Sequence, residues 1–378
     1  VATCLVAEIA LRASHPHYKH DRRSFLRAPG ATYLQITSER DTPGIKGVKR
    51  FSINDVGLRG PAFPGSERAV YRIVTVGGST TECVFLDDSE EWPHLVMDQL
   101  NRNLKGSRVW IGNAGVSGHN TVNHMAMMRS FPVFRQVQML IFLIGVNDLA
   151  VTLAFEGAST QGELERSATE FFAPVRIGPI FHRLAVYEES LRTMGPLVGR
   201  PFYHGDTRWY ADGRRKRASS GIVSLPSIKV GIHEYGARVR ALGEECRQLG
   251  VRCVFLTQPT MWREDLSSQE EKLLWGLWIG RRESPKGYGS AGDLRWAMDA
   301  YNEALLRACA EQQLECFDLA PRIRKDTGAF YDHAHFNENG ARLVANELVE
   351  YLLATEPFRS RKLATSDSMS GPPRRGMR

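Results

Sequence analysis

Four short segments of this chain carry the residue types needed for acyl transfer through a serine, and they follow one another in a fixed order. Together they supply a hydroxyl nucleophile, donors for an oxyanion, an imidazole base and a carboxylate to orient that base. The sequence therefore indicates a type of reaction more clearly than a substrate. The segments are Gly77-Gly78-Ser79-Thr80, Gly112-Asn113-Ala114-Gly115, Gly145-Val146-Asn147-Asp148 and Asp332-His333-Ala334-His335.

Ser79 is the candidate nucleophile, because the two glycines before it allow a sharp turn that exposes its hydroxyl. A serine at a helix start is often only an N-cap, so the motif alone leaves both roles open. The backbone N–H of Gly115 and the side-chain amide of Asn147 are candidate donors to an oxyanion. A turn glycine and an Asx turn are the ordinary alternatives for these two residues.

The candidate base is His335, with Asp332 three residues before it as the group that fixes the imidazole tautomer. His333 competes for the same role within this short segment. The three-residue offset from the carboxylate and the helix start after it favour His335. Asp332, His333 and His335 together also resemble a metal site, but the sequence shows no second cluster of ligands, and we expect no metal.

The segments between these motifs alternate between apolar, β-branched runs and runs with helical spacing. Strands that are apolar on both faces form parallel sheets covered by helices on both sides, with ligand sites at the carboxyl ends of the strands. Ser79, Gly115 and Asn147 all fall at such ends. The predicted strands are 72–76, 109–112, 137–144, 251–256 and 314–319, and the predicted helices are 92–104, 120–130, 233–249, 296–313 and 337–353.

Two segments interrupt the alternation, at about residues 150–232 and 262–295. We interpret the first, with its basic run at residues 214–217, as loops that form a cap or lid over the site, or else as a surface elaboration. Gln258, at the end of the fourth strand, and Trp262 are candidate substrate contacts. Tryptophans of the second insertion either stack on sugar rings or simply pack its core.

Composition restricts the class of protein. The chain has 378 residues, of which 42% are hydrophobic and 24% charged, as in soluble globular proteins. The net charge of +7 comes with no basic cluster on a predicted folded element, so nucleic acid is not an expected partner. Six cysteines show no CxxC pair, and we expect buried thiols, with disulfides as the alternative. No motif indicates a cofactor.

Both termini are unusual. Residues 1–12 lack an initial Met, are mostly apolar and are too few to span a bilayer. They fit the end of a truncated membrane anchor or signal sequence, and equally an amphipathic helix. At the other end, residues 356–378 include a Ser-, Gly- and Pro-rich stretch with a basic excess, which predicts a disordered tail.

The ordered motifs resemble the conserved blocks of SGNH hydrolases, also called the GDSL esterase/lipase superfamily. Ser79, Gly115, Asn147 and His335 match the residues that define the four blocks, and Asp332 matches the acid of the DxxH pattern. Gly-Gly-Ser-Thr in place of Gly-Asp-Ser resembles a bacterial subgroup. The segment 51–60 resembles that of bacterial members with a membrane-anchored leader, which are linked to envelope or exported polysaccharide.

This resemblance implies an α/β fold, a three-layer α/β/α sandwich of flavodoxin type with a five-stranded parallel sheet. It implies a cofactor-free esterase in which Ser79 attacks the ester, His335 and Asp332 move the proton, and the N–H groups of Ser79 and Gly115 with Asn147 hold the oxyanion. Residues 1–70 would be a leader and extension, 71–355 the hydrolase domain with its two insertions, and 356–378 the tail. An extracytoplasmic or membrane-anchored location in a bacterium is the corresponding expectation.

Three functions remain open from the sequence. The favoured one is hydrolysis of carboxylic esters, including removal of acetyl groups from a carbohydrate. The second is acyl transfer to an envelope or exported polysaccharide, which uses the same triad but excludes water in favour of a sugar hydroxyl. The third is a glycan-binding protein that has kept the fold without the activity. The partner in each case is a small-molecule or glycan ester, and the oligomeric state is left open.

Overall fold

The computed structural model describes residues 6–11, 30–67, 69–104, 108–157, 207–281 and 284–361. Much of the expected N-terminal leader, residues 158–206 of the first insertion and residues 362–378 of the predicted tail lie outside the described residues. Within the described ranges, none of the helices combines the length and the apolar character needed to cross a membrane.

A parallel sheet of five strands forms the centre of the molecule, in the order β4-β3-β5-β6-β9. The fold class and this sheet confirm the prediction from the sequence. Two antiparallel pairs, β1-β2 and β7-β8, lie outside it. The strands are β1 Thr32–Ile36, β2 Val48–Ser52, β3 Val70–Gly77, β4 Arg108–Asn113, β5 Met139–Leu143, β6 Arg252–Leu256, β7 Trp278–Arg281, β8 Ser284–Tyr288 and β9 Glu315–Phe317.

Helices cover the sheet because its inner strands are apolar on both faces. All five residues of β5 are buried, and Phe142 stacks on Phe255 of β6 with ring centroids 4.8 Å apart. Helix α2 packs with α9, and α6 packs with α3 and α8. The helices are α1 Ser79–Glu82, α2 Trp92–Asn103, α3 Thr121–Ser130, α4 Val146–Ala154, α5 Thr207–Ser219, α6 Lys229–Leu249, α7 Ser268–Glu271, α8 Ala291–Gln312 and α9 Glu338–Ala354.

The segment before the sheet is fastened to it. Phe51 and Leu58 are buried in the core, and Arg59 pairs with Asn113 at the end of β4 through two backbone hydrogen bonds of 2.9 and 2.8 Å. Lys49 is almost fully buried, and its ammonium donates to Glu90 before α2 and to Glu338 at the start of α9. Residues 45–60 therefore pack as part of the same core as the sheet.

Four of the six cysteines differ from the expectation of buried thiols. Disulfides join Cys246 of α6 to Cys253 of β6, and Cys309 of α8 to Cys316 of β9. Each bond links the end of a helix to the next strand, where the short connection brings the Cα atoms within 6.2 and 6.3 Å. Cys83 is a free, buried thiol, and burial raises its pKa to about 12.

Two further expectations are corrected. The basic run at residues 214–217 lies in helix α5 and not in a loop, and Arg214 and Arg217 donate to the backbone carbonyls of Leu273 and Gly289. The prediction that a disordered tail begins at residue 356 is wrong for residues 356–361, which the structure describes. Phe358 is fully buried and packs edge-on against Tyr71, with ring centroids 5.0 Å apart.

Candidate active site

The candidate nucleophile lies on a tight turn between β3 and α1. Gly78 is the N-cap of α1, and Ser79 is its first residue and is half-buried. A Cβ atom on Gly78 would come within 2.2 Å of the amide nitrogen of Asn147 and 3.2 Å of the carbonyl oxygen of His119. The turn therefore brings the serine beside Asn147, and only a residue without a side chain allows this approach.

Ser79, His335 and Asp332 form a continuous chain of hydrogen bonds. The Ser79 Oγ lies 2.7 Å from His335 Nε2, and His335 Nδ1 lies 2.7 Å from Asp332 Oδ2. Because an ionised carboxylate only accepts, the imidazole carries its proton on Nδ1 and accepts from the serine on Nε2. The backbone N–H groups of Ala334 and His335 both donate to Asp332 Oδ1 at 2.9 Å.

Asp332 is fully buried, yet its pKa is lowered below the ordinary range. Burial alone would raise the pKa. The neighbouring imidazoles of His335 and His333, together with the hydrogen bonds from the His335 ring and the Ala334 N–H, favour the ionised form and outweigh burial. The carboxylate is thus available to orient His335 and to stabilise a positive charge on it.

His333, the competitor for the base, faces a different neighbour. Its ring stacks on Trp262 at a centroid distance of 5.4 Å, and its Nδ1 lies 3.9 Å from Asp332 Oδ1. Burial lowers the pKa of His333 to about 4. Among the described residues, no three carboxylate, imidazole or thiol groups are arranged to hold a metal ion.

The oxyanion donors differ in part from the expectation. The Asn147 amide donates one hydrogen to the His119 carbonyl at 2.8 Å, which leaves its second hydrogen for another acceptor. The Gly115 N–H donates to Asn113 Oδ1 at 2.8 Å, so the prediction that it serves an oxyanion is corrected. In the described ranges, the N–H groups of Ser79 and Gly118 make no hydrogen bond.

The loop that carries Gly118 is tied to the nucleophile turn by a buried acid that was not among the predicted site residues. Glu82, the last residue of α1, is fully buried, and its Oε2 accepts from the Ser117 N–H at 2.8 Å and from the Ser117 hydroxyl. Gly115 packs directly on the same helix, since a Cβ there would lie 2.3 Å from the Glu82 nitrogen. No local pattern indicates this contact, because Ser117 lies 35 residues after Glu82 in the sequence.

A second missed residue, Arg59, holds the end of the nucleophile helix. Its guanidinium is 2% exposed and donates to the carbonyls of Glu82, Cys83 and Leu86 at 2.7, 2.8 and 2.6 Å. It also pairs with Glu91 at 3.1 Å. Burial raises the pKa of Glu91 to about 7, although Arg59 and Asn113 favour its ionised form.

The two expected substrate contacts are enclosed by protein. Gln258 is 1% exposed, and its amide accepts from the Thr80 hydroxyl at 3.2 Å and donates to the Pro259 carbonyl at 2.9 Å. Trp262 is also 1% exposed and is stacked on His333. Both side chains support the site from within, and neither offers a surface to a substrate.

Aromatic rings surround the candidate base. Tyr331 and Trp275 lie nearly parallel to the His335 ring, at interplanar angles of 12° and 8°, and Tyr210 of α5 meets it edge-on. The indole Nε1–H of Trp275 donates to Asp332 Oδ2 at 2.7 Å. Tyr210 and Trp275 belong to the two insertions, so both insertions reach the site. The tryptophan-rich composition of the second insertion indicated that aromatic rings could lie near the site, but it did not show which ring contacts Asp332.

This chain is similar to several solved structures and matches one protein family. No curated protein matches the sequence at a significant level. Axe2, an acetylxylan esterase from Geobacillus stearothermophilus, is 12% identical with a TM-score of 0.42, over 76% of this chain and 94% of that one. LAE5, an α/β hydrolase from the metagenome of Lake Arreo, is 12% identical with a TM-score of 0.41, over 74% of this chain and 94% of LAE5. The acetyl xylan esterase AlAXEase is 10% identical with a TM-score of 0.41, over 74% of this chain and 99% of AlAXEase. The model of the GDSL-like Lipase/Acylhydrolase family matches residues 75–343.

Proposed function

Since this chain belongs to the GDSL-like lipase/acylhydrolase family and is a carboxylic-ester hydrolase, we propose that Ser79, His335 and Asp332 are its catalytic triad. The observation that carries the proposal is the chain of hydrogen bonds between these three side chains, with 2.7 Å on each side of the imidazole. The half-buried position of Ser79 supports it, because a substrate can reach the hydroxyl while the base behind it is 7% exposed.

In the proposed mechanism, Ser79 Oγ attacks the ester carbonyl while His335 Nε2 takes the hydroxyl proton. Asp332 keeps the imidazole in the required tautomer and stabilises the imidazolium that forms. The tetrahedral oxyanion accepts from the N–H groups of Ser79 and Gly118 and from the Asn147 amide. His335 then gives its proton to the departing alcohol, and water, activated by the same imidazole, releases the acid from Ser79.

We further propose that the acyl group is short, and that the physiological reaction is O-deacetylation of a carbohydrate. The support is the closed cluster of rings beside the base, formed by Phe85, Tyr210, Trp275 and Tyr331. These residues are at most 9% exposed, and their ring centroids are 4.9 to 5.9 Å apart. Rings at these distances are in contact, so the described residues on this side of the site leave no channel for a long acyl chain.

The test is hydrolysis of p-nitrophenyl acetate, butyrate and octanoate by the wild-type protein and by Ser79→Ala. We expect turnover of the acetate that falls steeply with chain length and is lost in the variant. Equal rates in both proteins would reject Ser79 as the nucleophile, and a preference for octanoate would reject the short acyl group. With an acetylated glycan and a second glycan as acceptor, acyl transfer in excess of hydrolysis would instead indicate an acyltransferase.

We also propose that the protein works in an oxidising compartment outside the bacterial cytoplasm. The two disulfides support this location, since such bonds persist where thiols are not kept reduced. Alkylation of the unfolded protein, isolated without reductant, tests it by mass spectrometry. We expect Cys246, Cys253, Cys309 and Cys316 to react only after reduction. Alkylation of all four without reductant would contradict the proposal.

A further inference from the structure

The geometry points to Trp275 as a positioning residue for the proposed triad, acting through Asp332. Trp275 belongs to the second insertion and is 9% exposed, and its Nε1–H donates to Asp332 Oδ2 at 2.7 Å. This inference rests on the proposed function, in which Asp332 orients His335. It gives the second insertion a part in holding the proposed triad.

Two donors converge on the same oxygen of Asp332. His335 Nδ1 and Trp275 Nε1 each lie 2.7 Å from Oδ2, while Oδ1 accepts from two backbone N–H groups. The four donors fix the plane of the carboxylate and leave it one orientation. Without the indole N–H, the Oδ2 side has only the imidazole to hold it, and the carboxylate can turn away from the line that joins it to Ser79.

The Trp275 ring also lies beside the imidazole that Asp332 orients. The indole lies nearly parallel to the His335 ring, with centroids 6.3 Å apart. Tyr210 of α5 packs against the indole at 4.9 Å, and a Cβ on Gly213 of the same helix would lie 3.2 Å from the Trp275 side chain. The first insertion thus holds Trp275 in place, and the two insertions meet at this residue.

Trp262 provides a matched comparison within the same insertion. It is 1% exposed and stacks on His333, but its Nε1 has no hydrogen-bond partner among the described residues. Replacement of either tryptophan by phenylalanine keeps an aromatic ring and removes the indole N–H. The effect of Trp262→Phe therefore reports lost packing, whereas Trp275→Phe also removes the hydrogen bond to the carboxylate.

The experiment measures kcat and KM with p-nitrophenyl acetate for the wild type, Trp275→Phe, Trp262→Phe and Ser79→Ala. A hydrogen bond to a charged group contributes enough that we expect kcat to fall about 10- to 100-fold in Trp275→Phe, with KM unchanged. The decrease in kcat should be clearly smaller in Trp262→Phe. The low-field ¹H NMR resonance of the proton between His335 and Asp332 should move in Trp275→Phe and stay in place in Trp262→Phe.

The outcomes separate this inference from the proposed function. Equal losses in the two tryptophan variants, or an unchanged kcat in Trp275→Phe beside an inactive Ser79→Ala, would overturn the role of Trp275 alone. Activity that survives in Ser79→Ala would overturn the triad. If Trp275→Phe does not fold, or if p-nitrophenyl acetate is not turned over, the wild-type spectrum decides. It should show a nuclear Overhauser effect between the indole Nε1–H and the low-field proton, and its absence would contradict the inference.

Discussion

The two sides of the proposed triad are held by different interactions. On the nucleophile side, buried polar groups hold the Ser79 turn. Arg59 donates to three backbone carbonyls at the end of α1, and Glu82 accepts from Ser117 in the neighbouring loop. On the base side, His335 is held by aromatic rings, among them Tyr331 and Trp275. Among the described residues, the His335 ring forms hydrogen bonds only with Asp332 and Ser79.

The difference follows from what each side must do. A nucleophile and its oxyanion donors have to be placed to within a fraction of an ångström, and directional hydrogen bonds provide that placement. An imidazole that changes charge during the reaction gains more from rings that exclude water and fix its plane, with one carboxylate to balance its charge. Polar contacts therefore determine where the oxyanion forms, and aromatic rings exclude water from the imidazole that carries the proton.

Replacement of two arginines that hold backbone carbonyls compares the two sides directly. Arg59→Met leaves the buried Glu91 with the Asn113 amide but without a positive charge beside it, and it removes the donors to three carbonyls. We therefore expect the free energy of unfolding to fall by about 3–5 kcal/mol. Arg214 of α5 makes two longer bonds, of 3.3 Å, to the Leu273 and Tyr331 carbonyls on the base side. For Arg214→Met we expect a loss of about 1 kcal/mol.

Urea unfolding measures both arginine variants. Arg50→Met is the control, because Arg50 pairs with Asp88 as Arg59 does but is 64% exposed, and a surface pair contributes less than about 1 kcal/mol. Equal losses for the variants of Arg59 and Arg214 would show that the two sides are held alike, against the comparison made above.

A methyl group at residue 78 tests how strictly the nucleophile side is placed. The new Cβ of Gly78→Ala would lie 2.2 Å from the Asn147 amide nitrogen, so the amide must move away from the position where the oxyanion forms. Loss of one such donor costs about 3–4 kcal/mol, and we expect kcat to fall about 100- to 1,000-fold. Gly221→Ala is the control, since a Cβ there meets no atom within 4 Å. Full activity in Gly78→Ala would exclude Asn147 as a donor in its present position.

The two sides should respond to pH in opposite directions. The pKa of Glu91 is raised from 4.5 to about 7, so its contribution to stability is present below pH 4.5 and is lost as the pH rises through 7. The pKa of His333 is lowered from 6.5 to about 4, so its contribution is present above pH 6.5 and is lost as the pH falls through 4. Each shift corresponds to about 3 kcal/mol.

Unfolding free energies of Glu91→Gln and His333→Gln, measured against the wild type from pH 4 to 8, test these signs. The wild type should lose its advantage over Glu91→Gln as the pH rises, and its advantage over His333→Gln as the pH falls. A difference that stays constant with pH in either pair would reject the shift for that residue.

The sequence predicted the sheet, and it pointed to most of the residues that the structure brings together in the candidate site, because the signals are local. Each strand is a short apolar run, and Ser79 and Asn147 follow such runs directly, where a parallel sheet must bring them together. Asp332 and His335 share one short segment, so their contact needs no knowledge of the fold. The disulfides also had a local signal, since each pair is separated by seven residues across a junction from helix to strand.

The rest depends on tertiary contacts that periodicity does not contain. Gly115 and Gly118 lie in one loop, and only the position of the Asn113 side chain decides which N–H is already bonded. Trp275 reaches Asp332 across 57 residues of sequence, and Arg59 reaches the carbonyl of Glu82 across 23. The enclosure of Gln258 likewise results from the packing around it, which its place at a strand end did not reveal.

The buried contacts of Lys49 also bear on where this enzyme can be divided. The family match begins at residue 75, within β3, and ends at residue 343, within α9. Lys49 lies outside that match, yet it joins Glu90 next to the nucleophile side to Glu338 just after the base. We therefore expect that the smallest portion that can be exchanged between relatives, or produced as an independent enzyme, is longer than the portion matched by the family. A chimera joined at the family boundaries would contain every reacting group but would lose the buried ion pairs of this chain's Lys49 with Glu90 and Glu338.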